Sequence, residues 1–99
     1  MVNHIVCWNF NEDLTDEQKK EAGLIIKEKL EAIKPHAKGA ITIEVKINEL
    51  ASSNRDIALI SKFETIEALQ AYQVHPMHVE AGKYVKSVTC NRACIDYEE

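Results

Sequence analysis

Cationic surplus, paired cysteines, long apolar runs and chain punctuation are all scarce in this sequence. Its formal net charge is -4 and its isoelectric point is near 5.6. Nucleic acid is therefore not an expected partner, because phosphate binding needs a clustered basic surface. The cysteines, Cys7, Cys90 and Cys94, are three, an odd number that makes no disulfide framework. On one strand Cys90 and Cys94 would stand about 13 Å apart at ~3.3 Å per residue, beyond the ~7 Å Cα limit for a disulfide. They read as reduced, semi-buried thiols of a cytoplasmic protein, and none has an evident activating neighbour for a redox role. No apolar run approaches the ~20 residues that span a bilayer, so no membrane partner is expected either. The opening MVNHIVCWNF has no basic n-region and no small-residue cleavage site, and does not read as a secretory signal. With three glycines and two prolines, the chain shows no repeat, low-complexity segment or linker.

What remains is an ordinary globular balance, 45% hydrophobic and 28% charged over 99 residues. That length suits one core and one domain, residues 1–99. VNHIVCWNF (2–10) is rich in β-formers and reads as a strand, with Val2, His4, Val6, Trp8 and Phe10 on one face. Thr15 with Gln18 makes a capping box, and Ala22, Ile25, Ile26, Leu30 and Ile33 follow at helical spacing until Pro35. Leu24 falls off that stripe. AITIEVKI (40–47) alternates as a half-buried strand, and DIALISKF (56–63) reads as another, with Ile57, Leu59 and Phe63 on one face. A helix from Ile66 and a last strand, CNRACIDY (90–97), complete the pattern.

The order β-α-β-β-α-β is that of a ferredoxin-like α+β fold, a four-stranded antiparallel sheet with helices on one face. The other face should then carry Ile5, Cys7, Ala58 and Ile60 among Glu44, Lys46 and Lys62, joined by Cys90, Arg92 and Cys94 of the last strand. Such a mixture is too apolar for a wet face and too charged for a core. A second sheet packed against it would bury the apolar members and let Glu44 pair with a nearby cation, so a homodimer is expected rather than a solvated monomer.

The stretch YQVHPMHVEAG (72–82) holds the densest chemistry. Pro76 has no N–H and disfavours helical geometry at His75, yet suits the first position of a new helix. A helix–break–helix corner results, with Tyr72 before the bend and His78 after it. His4 on the first strand could face the same point. An imidazole of ordinary pKa ~6.5 beside a phenol of ~10 suits enolate chemistry, one group taking a proton and the other supporting an oxyanion. Two other readings stand beside that one. His75 caps a helix while Tyr72 and His78 only fill space; or His4, His75 and His78 hold zinc, although the proline breaks the register that would join the last two. His36 falls in the loop after the first helix and reads as solvated.

Three segments, VNHIVCWNF, YQVHPMHV and ACIDYE, together resemble the stress-responsive A/B barrel (Dabb) family over essentially the whole chain. The resemblance implies a ferredoxin-like protomer that dimerises sheet to sheet into an α+β barrel. One enzymatic branch, the olivetolic acid cyclase type, closes a linear polyketide by an aldol-type condensation without metal or organic cofactor. By that resemblance the catalytic residues would be His78 as general base, Tyr72 as oxyanion partner and His4 as a pocket hydrogen-bonding residue. Val6, Trp8, Leu59 and Phe63 would line the pocket. Trp8 is bulkier than the lining of such cyclases, and Gly23 and Lys27 replace aromatics, so a small carbonyl compound is implied rather than a long polyketide. The same resemblance leaves two alternatives: a non-enzymatic dimer that binds a small hydrophobic ligand in a stress response, and a cofactor-independent monooxygenase of the related dimeric α+β barrels.

Overall fold

The computed structural model describes residues 1–99. Its elements are β1 (Val2–Phe10), α1 (Asp16–Glu31), a short 3-10 turn (Lys34–His36), β2 (Ala40–Ile47), β3 (Ile57–Phe63), α2 (Ile66–Val74), α3 (Pro76–Val88) and β4 (Thr89–Glu98). The four strands form one antiparallel sheet in the order β2-β3-β1-β4, the ferredoxin-like arrangement. No helix is long and apolar enough to cross a membrane.

Local chemistry explains the helix ends. The Thr15 hydroxyl accepts from the Gln18 amide at 3.1 Å, and the Gln18 side chain accepts from the Thr15 amide at 2.8 Å. That reciprocal cap satisfies two donors left free at the start of α1, each cap contributing about 1 kcal/mol. Ala22, Ile26, Leu30 and Ile33 are buried against the sheet, whereas Leu24 is 62% exposed. The helix stops at Glu31, short of Pro35, which sits within the following 3-10 turn. Gly39 has φ +84, and a Cβ there would stand 2.7 Å from Ala68, so only glycine fits this turn.

One face of the sheet is covered by the helices. The pairs Val2–Phe63, His4–Ser61, Val6–Leu59 and Trp8–Ile57 stand opposite each other across β1 and β3, and all eight residues are buried. Each large apolar member contributes roughly 1.5–3 kcal/mol by leaving water. The opposite face carries Ile5, Cys7, Ala58 and Ile60 in register, with Glu44 and Lys46 paired at 3.1 Å.

In β4 the structure departs from strict alternation. Opposite β1 the register slips between Cys7 and Asn9, so that Val6 faces Cys94 and His4 faces Asp96. Asn91 sits at the slip with φ 52, a left-handed conformation that asparagine tolerates better than most residues. This is a β-bulge, and one inserted residue moves every following side chain to the other face. Arg92 and Cys94, expected on the open face, therefore lie on the helix side. Ile95 and Tyr97 take their place, at 59% and 44% exposure. The open face is consequently more apolar than alternation alone implied.

Candidate active site

The corner between α2 and α3 forms as the proline dictates. His75 is extended (φ -61, ψ 136) and starts α3, its Nδ1 accepting the Met77 amide at 3.1 Å. Its own amide donates to the Tyr72 carbonyl at 3.1 Å, closing α2. The imidazole of His75 is thus used as a cap. The bend brings the Tyr72 and His78 rings to 4.5 Å between centroids.

His78 is half-buried, and its Nδ1 lies 3.0 Å from the Gln73 carbonyl. A carbonyl only accepts, so Nδ1 carries the proton and Nε2 keeps its lone pair. Burial above all, and then the neighbouring His4, Arg92 and His75 charges, hold the His78 pKa below 6.5, although the Gln73 bond acts the other way. At neutral pH this is an uncharged imidazole with a free basic nitrogen.

His4 stands on β1 beneath the corner, 3% exposed, with its Nδ1 2.5 Å from Asp96 Oδ1. The carboxylate accepts from Nδ1–H and orients the ring, leaving the second nitrogen of His4 free for another partner. Ser61 donates to the His4 carbonyl at 2.8 Å and ties the strand below. Tyr72 is 1% exposed, packed between His4 (6.4 Å), Phe63 (5.0 Å) and His78. Its hydroxyl is buried and bonds to no protein group. Desolvation pushes the phenol pKa well above its ordinary value, so it stays a donor across the physiological range.

Between the helices and the sheet lies a cavity of about 390 Å³. Of the expected lining, Val6, Trp8 and Leu59 are on its wall together with His4 and His78. Phe63 is not. It is fully buried beneath the Tyr72 ring, one layer away. Tyr72 itself is also absent from the lining, lying behind the wall rather than on it. Gln73, Gly82, Lys86 and Arg92 complete the polar and open parts of the wall. Arg92 escaped the sequence because the bulge reverses its face; the asparagine at 91 was the only local signal of it. A groove of similar size, about 400 Å³ along Cys7, Ile47 and Asn54, contains no histidine.

His4, Cys94 and Asp96 offer nitrogen, sulfur and oxygen donors, all within 4.8 Å of one another. The zinc set considered from sequence, His4 with His75 and His78, is a different one, and His75 is occupied as a cap. Tetrahedral zinc at ~2.0–2.2 Å from nitrogen and oxygen would hold those two atoms roughly 3.3 Å apart. The His4–Asp96 separation is instead that of a hydrogen bond. Partial burial, then the Asp96 carboxylate, push the Cys94 thiol up, so it is neither a ready thiolate ligand nor a nucleophile.

The profile of the stress responsive A/B barrel domain matches residues 2–99. No curated protein matches the chain. Among solved structures it is similar to a dimeric protein of unknown function and ferredoxin-like fold from Bacteroides fragilis, at 35% identity, 99% coverage of this chain and 95% of that one, and a TM-score of 0.92. A dimeric ferredoxin-like protein from Thermobifida fusca shares 22% identity over 99% of this chain and 90% of that one, TM-score 0.80. A Dabb family protein from Mesorhizobium loti shares 17% over 99% and 95%, TM-score 0.71.

Proposed function

Because the chain belongs to the stress responsive A/B barrel domain family, we propose that it acts as a homodimer whose helix-side cavity performs cofactor-free acid/base chemistry on a small carbonyl compound. The dimer reading is supported by the uncovered face of the sheet. Ile60, Ile95 and Tyr97 are exposed there, and β4 is an edge strand with an open side. An exposed edge beside an apolar face is what proteins normally cover. The Bacteroides fragilis relative is itself dimeric. Sedimentation should give a two-chain species, and Ile60→Asp should convert it to single chains; a native protein that sediments only as a monomer removes this reading.

One observation carries the chemistry: His78, uncharged and tautomer-locked by Gln73, on the wall of a cavity at the small end of the range for ligand pockets. Its Nε2 would take the proton from a carbon next to a carbonyl, the electron pair moving to the carbonyl oxygen as an enolate. The Tyr72 hydroxyl has no protein partner but lies behind the cavity wall, so it would donate to that oxygen only after a shift of its ring toward the cavity. His4, oriented by Asp96, would hold the substrate. Aldol-type cyclisation and lyase reactions share this enolate.

The test is deuterium incorporation at C2 of methyl acetoacetate in D2O, followed by NMR. The protein should accelerate exchange, and His78→Ala should abolish the acceleration without unfolding. Equal rates for both proteins overturn the base role. A non-enzymatic binder is the second reading, favoured by the burial of Tyr72 behind the cavity wall. It requires ester-induced shifts of cavity resonances with no accelerated exchange.

A further inference from the structure

The cavity does not share the charge of the protein around it. The chain has 16 acidic residues against 12 Lys and Arg, yet the cavity wall carries the cations Lys86 and Arg92 and no carboxylate. Four of the twelve Lys and Arg side chains pair with a carboxylate, and neither Lys86 nor Arg92 is among them. The two come from separate elements, Lys86 from the last turn of α3 and Arg92 from β4 just beyond the bulge. Asp96, a carboxylate close by, accepts from His4 and is not on the wall.

The bulge places Arg92 in this position. With plain alternation Arg92 would look out from the open face of the sheet; Asn91 in the left-handed region turns it inward instead. Arg92 and Lys86 are both solvent-exposed, at the open side of the cavity, and a guanidinium at the mouth of a partly apolar cavity suits a planar anion, which a carboxylate meets with two parallel hydrogen bonds. Field lines from two like charges in a cleft with low-dielectric walls favour the same occupant.

We infer that the cavity takes a small oxo-carboxylate, its carboxylate held by the Arg92 fork with Lys86 as a second cation. This deepens the acid/base reading, on which it rests for the reacting carbon but not for the anion. Neutralising the carboxylate also helps the chemistry. Removing a proton from the adjoining carbon adds negative charge to a molecule that already has one, and Arg92 and Lys86 offset the repulsion. The proton passes to His78 Nε2, the C–H pair to the carbonyl oxygen, and the reverse transfer completes exchange.

The probes are acetoacetate and its neutral analogue methyl acetoacetate, titrated by NMR at low salt and compared for affinity and for C2 exchange. Acetoacetate should bind at least ~10-fold tighter, the scale of one charge-assisted bidentate pair. Arg92→Leu should erase that preference, while Arg92→Lys should keep part of it. Lys83→Ala, on α3 but off the cavity wall, should leave it unchanged. Should Arg92→Leu fail to fold, Lys86→Met and the salt response of the native protein decide. The preference should shrink as the Debye length falls from ~30 Å to ~3 Å, while the ester's affinity holds. Equal affinity for the two probes, or a preference that survives Arg92→Leu, overturns the inference even if His78-dependent exchange of the ester persists. A preference lost with Arg92, seen without any His78-dependent exchange, supports the anion site and overturns the base role instead.

Discussion

Replacing Tyr72 by phenylalanine separates two roles that this side chain combines. The ring is 1% exposed and packs on Phe63 at 5.0 Å and His78 at 4.5 Å. Phenylalanine keeps all of that surface, so no cavity forms and no apolar contact is lost. Only the hydroxyl goes, and it is buried without a protein partner. A buried group with an unmet hydrogen bond costs ~1–3 kcal/mol relative to a satisfied one. Tyr72→Phe should therefore stabilise the fold by about 1 kcal/mol. For a domain of this size that is roughly 4–8 °C in melting temperature. Denaturant unfolding should show a higher midpoint with an unchanged slope, marking a change in stability and not in compactness. If the hydroxyl supports the enolate oxygen, the same variant should lose ~10²–10³ in His78-dependent exchange. By contrast, Tyr72→Ala removes the ring and should cost about 3–5 kcal/mol, as other aromatic truncations do. A Tyr72→Phe protein that is less stable by 1 kcal/mol or more would refute the reasoning, because the hydroxyl must then be bonded in the folded state. Unchanged exchange in a stabilised variant would refute the oxyanion role alone.

Acidity should act through His78. Its folded pKa lies below the unfolded 6.5, so exchange should be flat above neutrality and fall on an acid limb below pH 6.5. The unfolded chain protonates first as pH drops through 6.5, so His78's contribution to stability is present above that pH and lost below it; His78→Asn should flatten this part of a stability–pH curve. At the bulge, Asn91→Gly should fold normally. Asn91→Val should cost about 1–2 kcal/mol for the left-handed backbone and weaken acetoacetate binding by disturbing Arg92; denaturant curves and NMR titration check both. A Cβ at Gly82 meets nothing within 4 Å, so Gly82→Ala should stabilise α3 by about 0.5–1 kcal/mol, whereas Gly82→Trp should fill the cavity and stop exchange in a folded protein. Either outcome is read from the melting temperature and the C2 exchange rate.

Local chemistry was enough to read the architecture. Alternation in β1, β2 and β3, the Thr15–Gln18 cap and the His75–Pro76 break each depend on residues within a turn or a strand of one another. Such short-range preferences set the element order, and that order set the sheet topology. The same preferences placed Tyr72 and His78 on either side of one bend, and the structure shows their rings in contact.

Side-chain burial and strand facing were settled at longer range. Tyr72 lies behind the cavity wall because Phe63, from a strand nine residues earlier in the chain, fills the layer beneath it. Periodicity marks a residue as inward, but not how many layers inward. The Asn91 slip depends on how β4 pairs with β1 at the far end of the chain, and one residue of slip was enough to exchange Arg92 and Cys94 with the outward set. The cationic lining, the His4–Asp96 bond and the unpartnered phenol all follow from that pairing and packing, contacts between segments that the chain itself keeps far apart.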